Sequence, residues 1–291
     1  MTIYQNAQAL NQLTGQLTLG KATQYCSEYN PDLLQGVPRS LNRDDLALTN
    51  DRLPFVGEDV WYGYELSWLN IKGKPVVAVA EFRFDCTSPN IVESKSFKLY
   101  LNSFNQSRFI DSEMVKKTLI KDLSVTAGVT AKVQLFNVEQ CPALAIKLSG
   151  QDITCIDDEE VSIENYQLSA RYLTSSQCAN DTAPVIQENI VSHLLKSNCL
   201  ITNQPDWASI YIDYKGKAIN HAALLKYLIS FRQHNEFHEQ CVERIFCDLK
   251  KHCQLDELTV FARYTRRGGL DINPFRSTHL TTAPFARTLR Q

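Results

Sequence analysis

The stretch Val60-Trp-Tyr-Gly-Tyr-Glu-Leu-Ser-Trp-Leu69 is rich in aromatic and β-branched residues, which favour extended backbone. Turn residues follow it in Lys72-Gly-Lys-Pro75, and residues 76–84 resume the extended pattern. Two such runs joined by a short segment with Gly and Pro predict a β-hairpin. An antiparallel hairpin favours an α+β fold over one in which strands and helices alternate in a parallel sheet.

The period changes from extended to helical after this hairpin. Apolar residues at helical spacing predict two consecutive helices, one around residues 97–104 and one around 115–123. Extended segments return at 132–138, 143–148 and 166–173. The first half therefore reads strand, strand, helix, helix, strand, strand.

The second half repeats this order. A strand at 208–214 runs into a predicted turn at Lys215-Gly-Lys217, helices follow around 224–231 and 242–249, and a strand returns at 258–264. Antiparallel hairpins with paired helices predict an α+β fold of two tandem modules, each with two helices packed on one face of a sheet. We place an N-terminal arm at 1–55, the first module at 56–175 and the second at 176–291.

Composition excludes several classes of function. The 291 residues contain 30 Lys+Arg and 32 Asp+Glu, so a net charge of −2 argues against direct nucleic-acid binding. The 11 glycines form neither a Rossmann fingerprint nor a P-loop. We expect neither export nor a membrane span, since no leader-like or long apolar run occurs. Nine scattered cysteines predict free thiols in the cytoplasm.

One cysteine has surroundings suited to nucleophilic chemistry. Cys199 follows Ser197-Asn198, and seven residues later comes Asp206, between Pro205 and Trp207. A thiolate nucleophile needs a partner that can donate a proton to the atom it has charged, and a desolvated acid can hold that proton. A buried structural cysteine remains the alternative.

Two glutamates are predicted to stand at helix starts, Glu93 before the helix at 97–104 and Glu239 directly after His238. Acids are favoured there by the helix dipole and the exposed backbone N–H groups. A carboxylate can also accept two parallel hydrogen bonds, as from the pyrimidinone edge of guanine or a pterin. Both explanations stay open for both residues.

A Gly268-Gly269 turn is surrounded by arginines, which predicts either a phosphate cradle or a solvated strand end. The four arginines are Arg263, Arg266, Arg267 and Arg276. We predict no metal, because His234 and His238 lack a third ligand at metal spacing. Cys241, Cys247 and Cys253 are spaced six residues apart, and no C-x-x-C motif accompanies them. This spacing does not support a metal site.

The segment Glu93-Ser-Lys-Ser-Phe-Lys-Leu-Tyr100 closely resembles the E-[SL]-K-[SA]-x-K-x-[aromatic] signature of the NADPH-dependent 7-cyano-7-deazaguanine reductases, the nitrile reductases of queuosine biosynthesis in tRNA modification. Further runs resemble the long, two-module form of this family. They are Phe84-Asp-Cys-Thr-Ser-Pro-Asn90, Ser197-Asn-Cys199, Gln204-Pro-Asp-Trp207, Phe237-His-Glu239 and Arg266-Arg-Gly-Gly269.

The resemblance implies a fold and a set of site residues. The fold is a tunnelling fold, an antiparallel sheet with two helices on one face, present here as two tandem modules. Cys199 is implied as the nucleophile and Asp206 as the proton donor. The implied substrate-binding residues are Val92, Glu93, Ser94, His238 and Glu239, and the implied cofactor-binding residues are Ser94, Lys95, Arg267 and Gly268.

The implied activity is the four-electron reduction of the nitrile of 7-cyano-7-deazaguanine to an aminomethyl group. It proceeds through a cysteine thioimide, consumes two molecules of NADPH, and needs residues of both modules. The implied partners are the free base and a second copy of the chain in a homodimer, with no membrane. The alternatives are a purine- or pterin-binding protein of the same fold and a cyclohydrolase-like enzyme that reduces no nitrile.

Overall fold

The computed structural model describes residues 25–137, 153–174, 184–284, 287–288 and 290–291. The chain divides into two compact units. The first unit comprises Met1–Leu53, Asp59–Ala143 and Arg266–Ile272, and the second comprises Pro54–Glu58, Leu144–Thr265 and Asn273–Gln291. None of the described helices is both long and apolar enough to cross a membrane.

The first unit contains the predicted hairpin and the two predicted helices. Strand β5 pairs antiparallel with β3, and β3 lies beside β2. Its elements are β1 (Gly36–Pro38), α1 (Ser40–Arg43), β2 (Val56–Leu69, of which the first three residues belong to the second unit), β3 (Pro75–Asp85), β4 (Asn90–Val92), α2 (Ser94–Asn102), α3 (Ser112–Ala127) and β5 (Lys132–Phe136).

Aromatic side chains join α2 to the sheet of the first unit. The ring of Phe97 on α2 lies 4.8 Å from that of Phe82 on β3 and 5.4 Å from that of Trp61 on β2, measured between centroids. Burying each large apolar side chain contributes about 1.5–3 kcal/mol. This packing fixes α2, and with it the residues at its first turn.

The described part of the predicted N-terminal arm contains short regular elements. Strand β1 pairs antiparallel with β4, with Gly36 opposite Val92. The guanidinium of Arg39 is buried, donates to Ser88 Oγ at 3.1 Å and forms an ion pair with Asp59. The segment from β1 to α1 is therefore pinned to the first unit by buried polar contacts.

From β7 onward, the elements of the second unit follow the order strand, strand, helix, helix, strand, strand. Its sheet has the order β10-β9-β8-β7-β6, in which β6 pairs parallel with β7, and the printed pairs β7–β8, β8–β9 and β9–β10 are antiparallel. The elements are β6 (Thr154–Cys155), β7 (Val185–Asn198), β8 (Pro205–Lys217), α4 (His221–Ile229), α5 (His238–His252), β9 (Leu255–Tyr264) and β10 (Leu270–Ser277, of which the first three residues belong to the first unit).

The structure confirms a mixed α+β fold rich in antiparallel pairing, and it corrects two local predictions. Lys215-Gly216-Lys217 is no turn but the end of β8, where a bulge shifts the register with β9 at Gly216. Residues 166–173 form no strand. Ala170–Leu173 is a 3-10 helix with only Leu173 buried, so this segment lacks the alternating buried face of a strand. The predicted strand at 143–148 lies outside the described residues.

Candidate active site

Cys199 and Asp206 lie at the same end of the β7–β8 hairpin. In the register of the hairpin Asp206 stands opposite Ser197, two residues before Cys199. The loop between the strands is closed by a hydrogen bond from Cys199 N to Gln204 O at 2.8 Å. Both side chains are buried, with Cys199 6% and Asp206 4% exposed. A thiol and an acid are thus held in a site with little water.

The segment before α5 is tied to this end of the hairpin. Asn198 N donates to His234 O at 2.8 Å, and Glu236 N donates to Asn198 O at 3.1 Å. Glu236 is buried and accepts two hydrogen bonds from Arg244 on α5. Burial raises the pKa of the Glu236 carboxyl, but hydrogen bonds from His234 and Arg244 outweigh it and the pKa is lowered. The buried ion pair fixes the start of α5 beside the hairpin end.

His238, the first residue of α5, contacts residues of β8 and β9. Its Nε2 lies 3.5 Å from Asp206 Oδ1. Its ring packs edge-on against the ring of Tyr264 on β9, with the centroids 4.0 Å apart. The structure therefore brings together the predicted proton donor and a predicted substrate-binding residue.

Glu239 follows in the first turn of α5 and is 1% exposed. The N-cap of this helix is Phe237, whose side chain forms no capping hydrogen bond. Glu239 is thus a buried acid within the turn and not the helix cap.

Glu93 is the N-cap of α2 in the first unit, directly after Val92, which ends β4. Its carboxylate accepts hydrogen bonds from Lys95 N at 2.8 Å and Ser96 N at 2.7 Å. Burial raises the pKa of Glu93, and these backbone hydrogen bonds oppose the shift. Glu93 N donates to Gln35 O at 2.8 Å, so the arm also holds this helix start.

The turn at Gly268 packs against α2 in the same unit. Gly268 and Gly269 have φ of 59° and 79°, and Arg267 and Leu270 exchange backbone hydrogen bonds across them. Such a two-residue turn needs positive φ at both central positions. A Cβ on Gly268 would lie 2.9 Å from Lys98 Nζ. Ser94 and Lys95 at the start of α2 are half-exposed.

The comparisons with known proteins agree over the whole chain. Residues 25–135 match the family model described as "Nitrile reductase, 7-cyano-7-deazaguanine-reductase N-term", and residues 205–282 match "QueF-like protein". The chain is 71% identical to the NADPH-dependent 7-cyano-7-deazaguanine reductase of Colwellia psychrerythraea (strain 34H) over 291 residues, 100% of both chains. The chain belongs to the NADPH-dependent 7-cyano-7-deazaguanine reductase family.

This membership confirms the predicted family, the predicted reductase function and the predicted use of NADPH. The alternatives of a binding protein or a cyclohydrolase-like enzyme gain no support from these matches. Among solved structures, the apo form of the archaeosine synthase QueF-Like matches 33% of this chain and 95% of its own, with 14% identity and a TM-score of 0.29.

The prediction that four arginines around the Gly268-Gly269 turn form a phosphate-binding site is wrong for two of them. Arg276 is fully buried in the second unit, where it pairs with Glu243 at 2.9 Å. Arg263 is buried as well, and its Nε donates to Gln291 Oε1 at 2.8 Å. Arg266 and Arg267 are exposed. Arg263 and Arg276 stand in β9 and β10, where nearly every side chain is buried, and so they do not reach the exposed turn.

Sequence reasoning missed three contributors to the site. Lys98 packs against Gly268 and lies 3.8 Å from Glu65. A signal for it was present, because Lys98 stands three residues after Lys95 and so shares a helix face with it. The Glu236–Arg244 ion pair and the packing of Tyr264 on His238 had no comparable signal, since each joins segments that only the fold brings together.

Proposed function

We propose that Cys199 attacks the nitrile carbon of 7-cyano-7-deazaguanine and forms a covalent thioimide. The observation that carries this proposal is the placement of a buried thiol and a buried acid at one end of the β7–β8 hairpin. A nitrile is a poor hydride acceptor, and thiolate addition converts it to a C=N bond that is easier to reduce. Asp206 donates the proton that the nitrile nitrogen needs in this step.

The reduction then needs two hydrides and two protons per nitrile. The thioimide carbon accepts the first hydride and its nitrogen a proton, and the resulting tetrahedral centre expels the Cys199 thiolate to leave an imine. The imine carbon accepts the second hydride and its nitrogen the second proton, which gives the aminomethyl product. Two molecules of NADPH supply the hydrides and become NADP⁺. A dry site protects the imine from hydrolysis.

His238 supports Asp206 as the proton donor in this proposal. Its Nε2 is 3.5 Å from Asp206 Oδ1. A protonated imidazole can return a proton to the carboxylate after each transfer. Its edge-on contact with Tyr264 holds the ring in this orientation. We propose that His238, the first residue of α5, also binds the substrate.

Glu93 and Glu239 recognise the guanine-like edge of the substrate. Each oxygen of a carboxylate has two acceptor sites, so Glu93 can accept from the substrate while it caps α2. Burial of both acids strengthens such hydrogen bonds by excluding water. Val92 and Ser94 flank Glu93 in the chain and complete this part of the site.

The NADPH phosphates bind at the α2 start and the Gly268 turn of the first unit. Lys95, Arg267 and the additional Lys98 supply positive charge, and Ser94 and the Gly268 backbone supply hydrogen-bond donors. The packing of Gly268 against Lys98 supports a common site.

We further propose two tandem tunnelling-fold modules at 56–175 and 176–291 after an arm at 1–55, a homodimer, and a place in the cytoplasm. The product serves queuosine formation in tRNA, but the enzyme acts on the free base. The charge of −2 supports the absence of direct nucleic-acid binding.

Intact-protein mass spectrometry in the absence of NADPH tests the thioimide. The wild type should gain the mass of one substrate molecule, and Cys199→Ala should gain nothing. Cys247→Ser, which changes a half-buried thiol on α5, is the matched control and should gain the full adduct. An adduct that persists in Cys199→Ala, or that maps to Cys86 or Cys241, would contradict the proposal.

A further inference from the structure

Three side chains of different chemistry meet on the second unit, away from the residues assigned above. Among the described residues, Cys155, Asp157 and His193 place one ligand atom each within 4.8 Å of one another. A thiolate sulfur, a carboxylate oxygen and an imidazole nitrogen are the ligand types of zinc sites. We propose that these three residues bind a thiophilic divalent cation such as Zn²⁺.

Strand pairing brings the three residues together. The short strand β6 pairs parallel with β7, with Cys155 opposite Val191. Ile156 N donates to Val191 O at 3.1 Å and extends this contact. Asp157 then reaches His193, whose backbone N donates to its carboxylate at 3.0 Å. The backbone therefore holds two chain segments in one place whether or not a cation is present.

A bulge in β7 aims His193 outward. The register between β7 and β8 shifts between Ser192 and Leu195. His193 and Leu194 are consecutive residues and both are exposed, which the alternation of a regular strand does not allow when one face is buried. Bulges recur in proteins where a side chain must be redirected.

Hydrogen bonds outside the ligand set orient two of its members. Ser192 Oγ donates to Asp157 Oδ1 at 2.7 Å. His193 Nδ1 lies 2.8 Å from Oγ of Ser209, a buried residue. This contact keeps Nδ1 occupied and leaves Nε2 to bind the cation, and metal-binding histidines are usually held in this way.

The coordination geometry can close with small movements. Bond lengths of about 2.0–2.3 Å in a tetrahedron require ligand atoms roughly 3.3–3.6 Å apart. The exposed side chain of Cys155 can rotate to reach this spacing. On binding, the Cys155 thiol releases its proton to solvent, and water fills the fourth position.

The cation in this proposal stabilises the fold and takes no part in nitrile reduction. His193 on β7 precedes Cys199, which follows the last residue of β7, by six residues, a separation of at most roughly 20 Å at the rise of extended backbone. A cation at this site would cross-link β6 and the residues after it to β7. The sulfur ligand selects Zn²⁺ or Co²⁺ over Mg²⁺.

Titration of the metal-free, full-length protein with Co²⁺ tests this site. All proteins carry Cys199→Ala so that the reactive thiol does not contribute to the signal. The parent should bind one Co²⁺ per chain with a thiolate-to-cobalt charge-transfer band, which Zn²⁺ displaces and Mg²⁺ does not. Cys155→Ser should lose the band, His193→Asn should weaken binding at least tenfold, and Cys247→Ser should match the parent.

The orienting role of Ser209 has a separate measurement. Ser209→Ala should lower the Co²⁺ affinity roughly tenfold, with the band retained. Zn²⁺ should raise the melting temperature of the parent but not of Cys155→Ser. Absence of saturable binding in the parent would overturn the proposal, as would a band that survives in Cys155→Ser or disappears in Cys247→Ser.

Discussion

The starts of α2 and α5 each carry a buried glutamate, but the two helices use it differently. Glu93 is the N-cap of α2 and accepts hydrogen bonds from two backbone N–H groups of its own helix. Glu239 lies inside the first turn of α5, after an N-cap whose side chain forms no capping bond. The same residue type thus caps its helix in the first unit and lies within the first turn, after the N-cap, in the second.

We expect the largest effect from a substitution of Asp206, which should slow proton transfer without removing substrate recognition. Asp206→Asn should slow thioimide formation about a hundredfold or more, because a general acid typically contributes 10²–10⁴-fold. Stopped-flow measurement of adduct formation at saturating substrate gives this rate. Glu93→Gln is the matched control, and its rate at saturation should stay close to that of the wild type. An equal loss in both variants would contradict the assignment of proton transfer to Asp206.

The proposed recognition of the substrate by Glu239 should be visible in the substrate affinity. Glu239→Gln replaces an acceptor by a donor that faces a substrate donor, and a mispaired buried polar group costs about 1–3 kcal/mol. Substrate affinity should therefore fall roughly tenfold or more, as measured by calorimetry. Unchanged affinity would mean that Glu239 interacts with the dipole of α5 and does not bind the substrate.

Substitution of a proposed cofactor-binding residue at the start of α2 should raise the KM for NADPH but should not prevent covalent capture of the nitrile. Lys95→Ala should raise the KM for NADPH about fivefold to tenfold, because a charge-assisted hydrogen bond to phosphate contributes about 1 kcal/mol or more. The exposed Lys117→Ala on α3 serves as the control. Loss of the substrate adduct in Lys95→Ala would show that this residue acts on the nitrile site instead.

The smallest effect concerns the pH dependence of stability. Burial raises the pKa of Glu93 in the folded chain, so the folded state binds a proton more tightly than the unfolded state. This contribution is complete below the unfolded pKa and is lost as the pH rises through the folded pKa. Urea unfolding at several pH values should show that the stability difference between wild type and Glu93→Gln falls over this range. A constant difference would mean that Glu93 titrates as it does in the unfolded chain.

Local features were predictable because their causes lie within a few residues. The first hairpin follows from aromatic and β-branched residues on both sides of Lys72-Gly-Lys-Pro75. The two helices of the first unit follow from their apolar spacing. Glu93 at the start of α2 was predicted for the same reason. The residues that carry the site stand in contiguous motifs, and these motifs also identified the family.

The sequence by itself determined the first hairpin, the two helices of each unit that were predicted from apolar spacing, and the family, because propensity and periodicity act over short distances along the chain. Only the tertiary structure decided which arginines are buried, as with Arg263 and Arg276, and which histidine lies beside Asp206. It also placed Cys155 and His193 together through strand pairing and a bulge. These contacts join residues distant in the chain, and their free energy depends on burial and register that no single segment encodes.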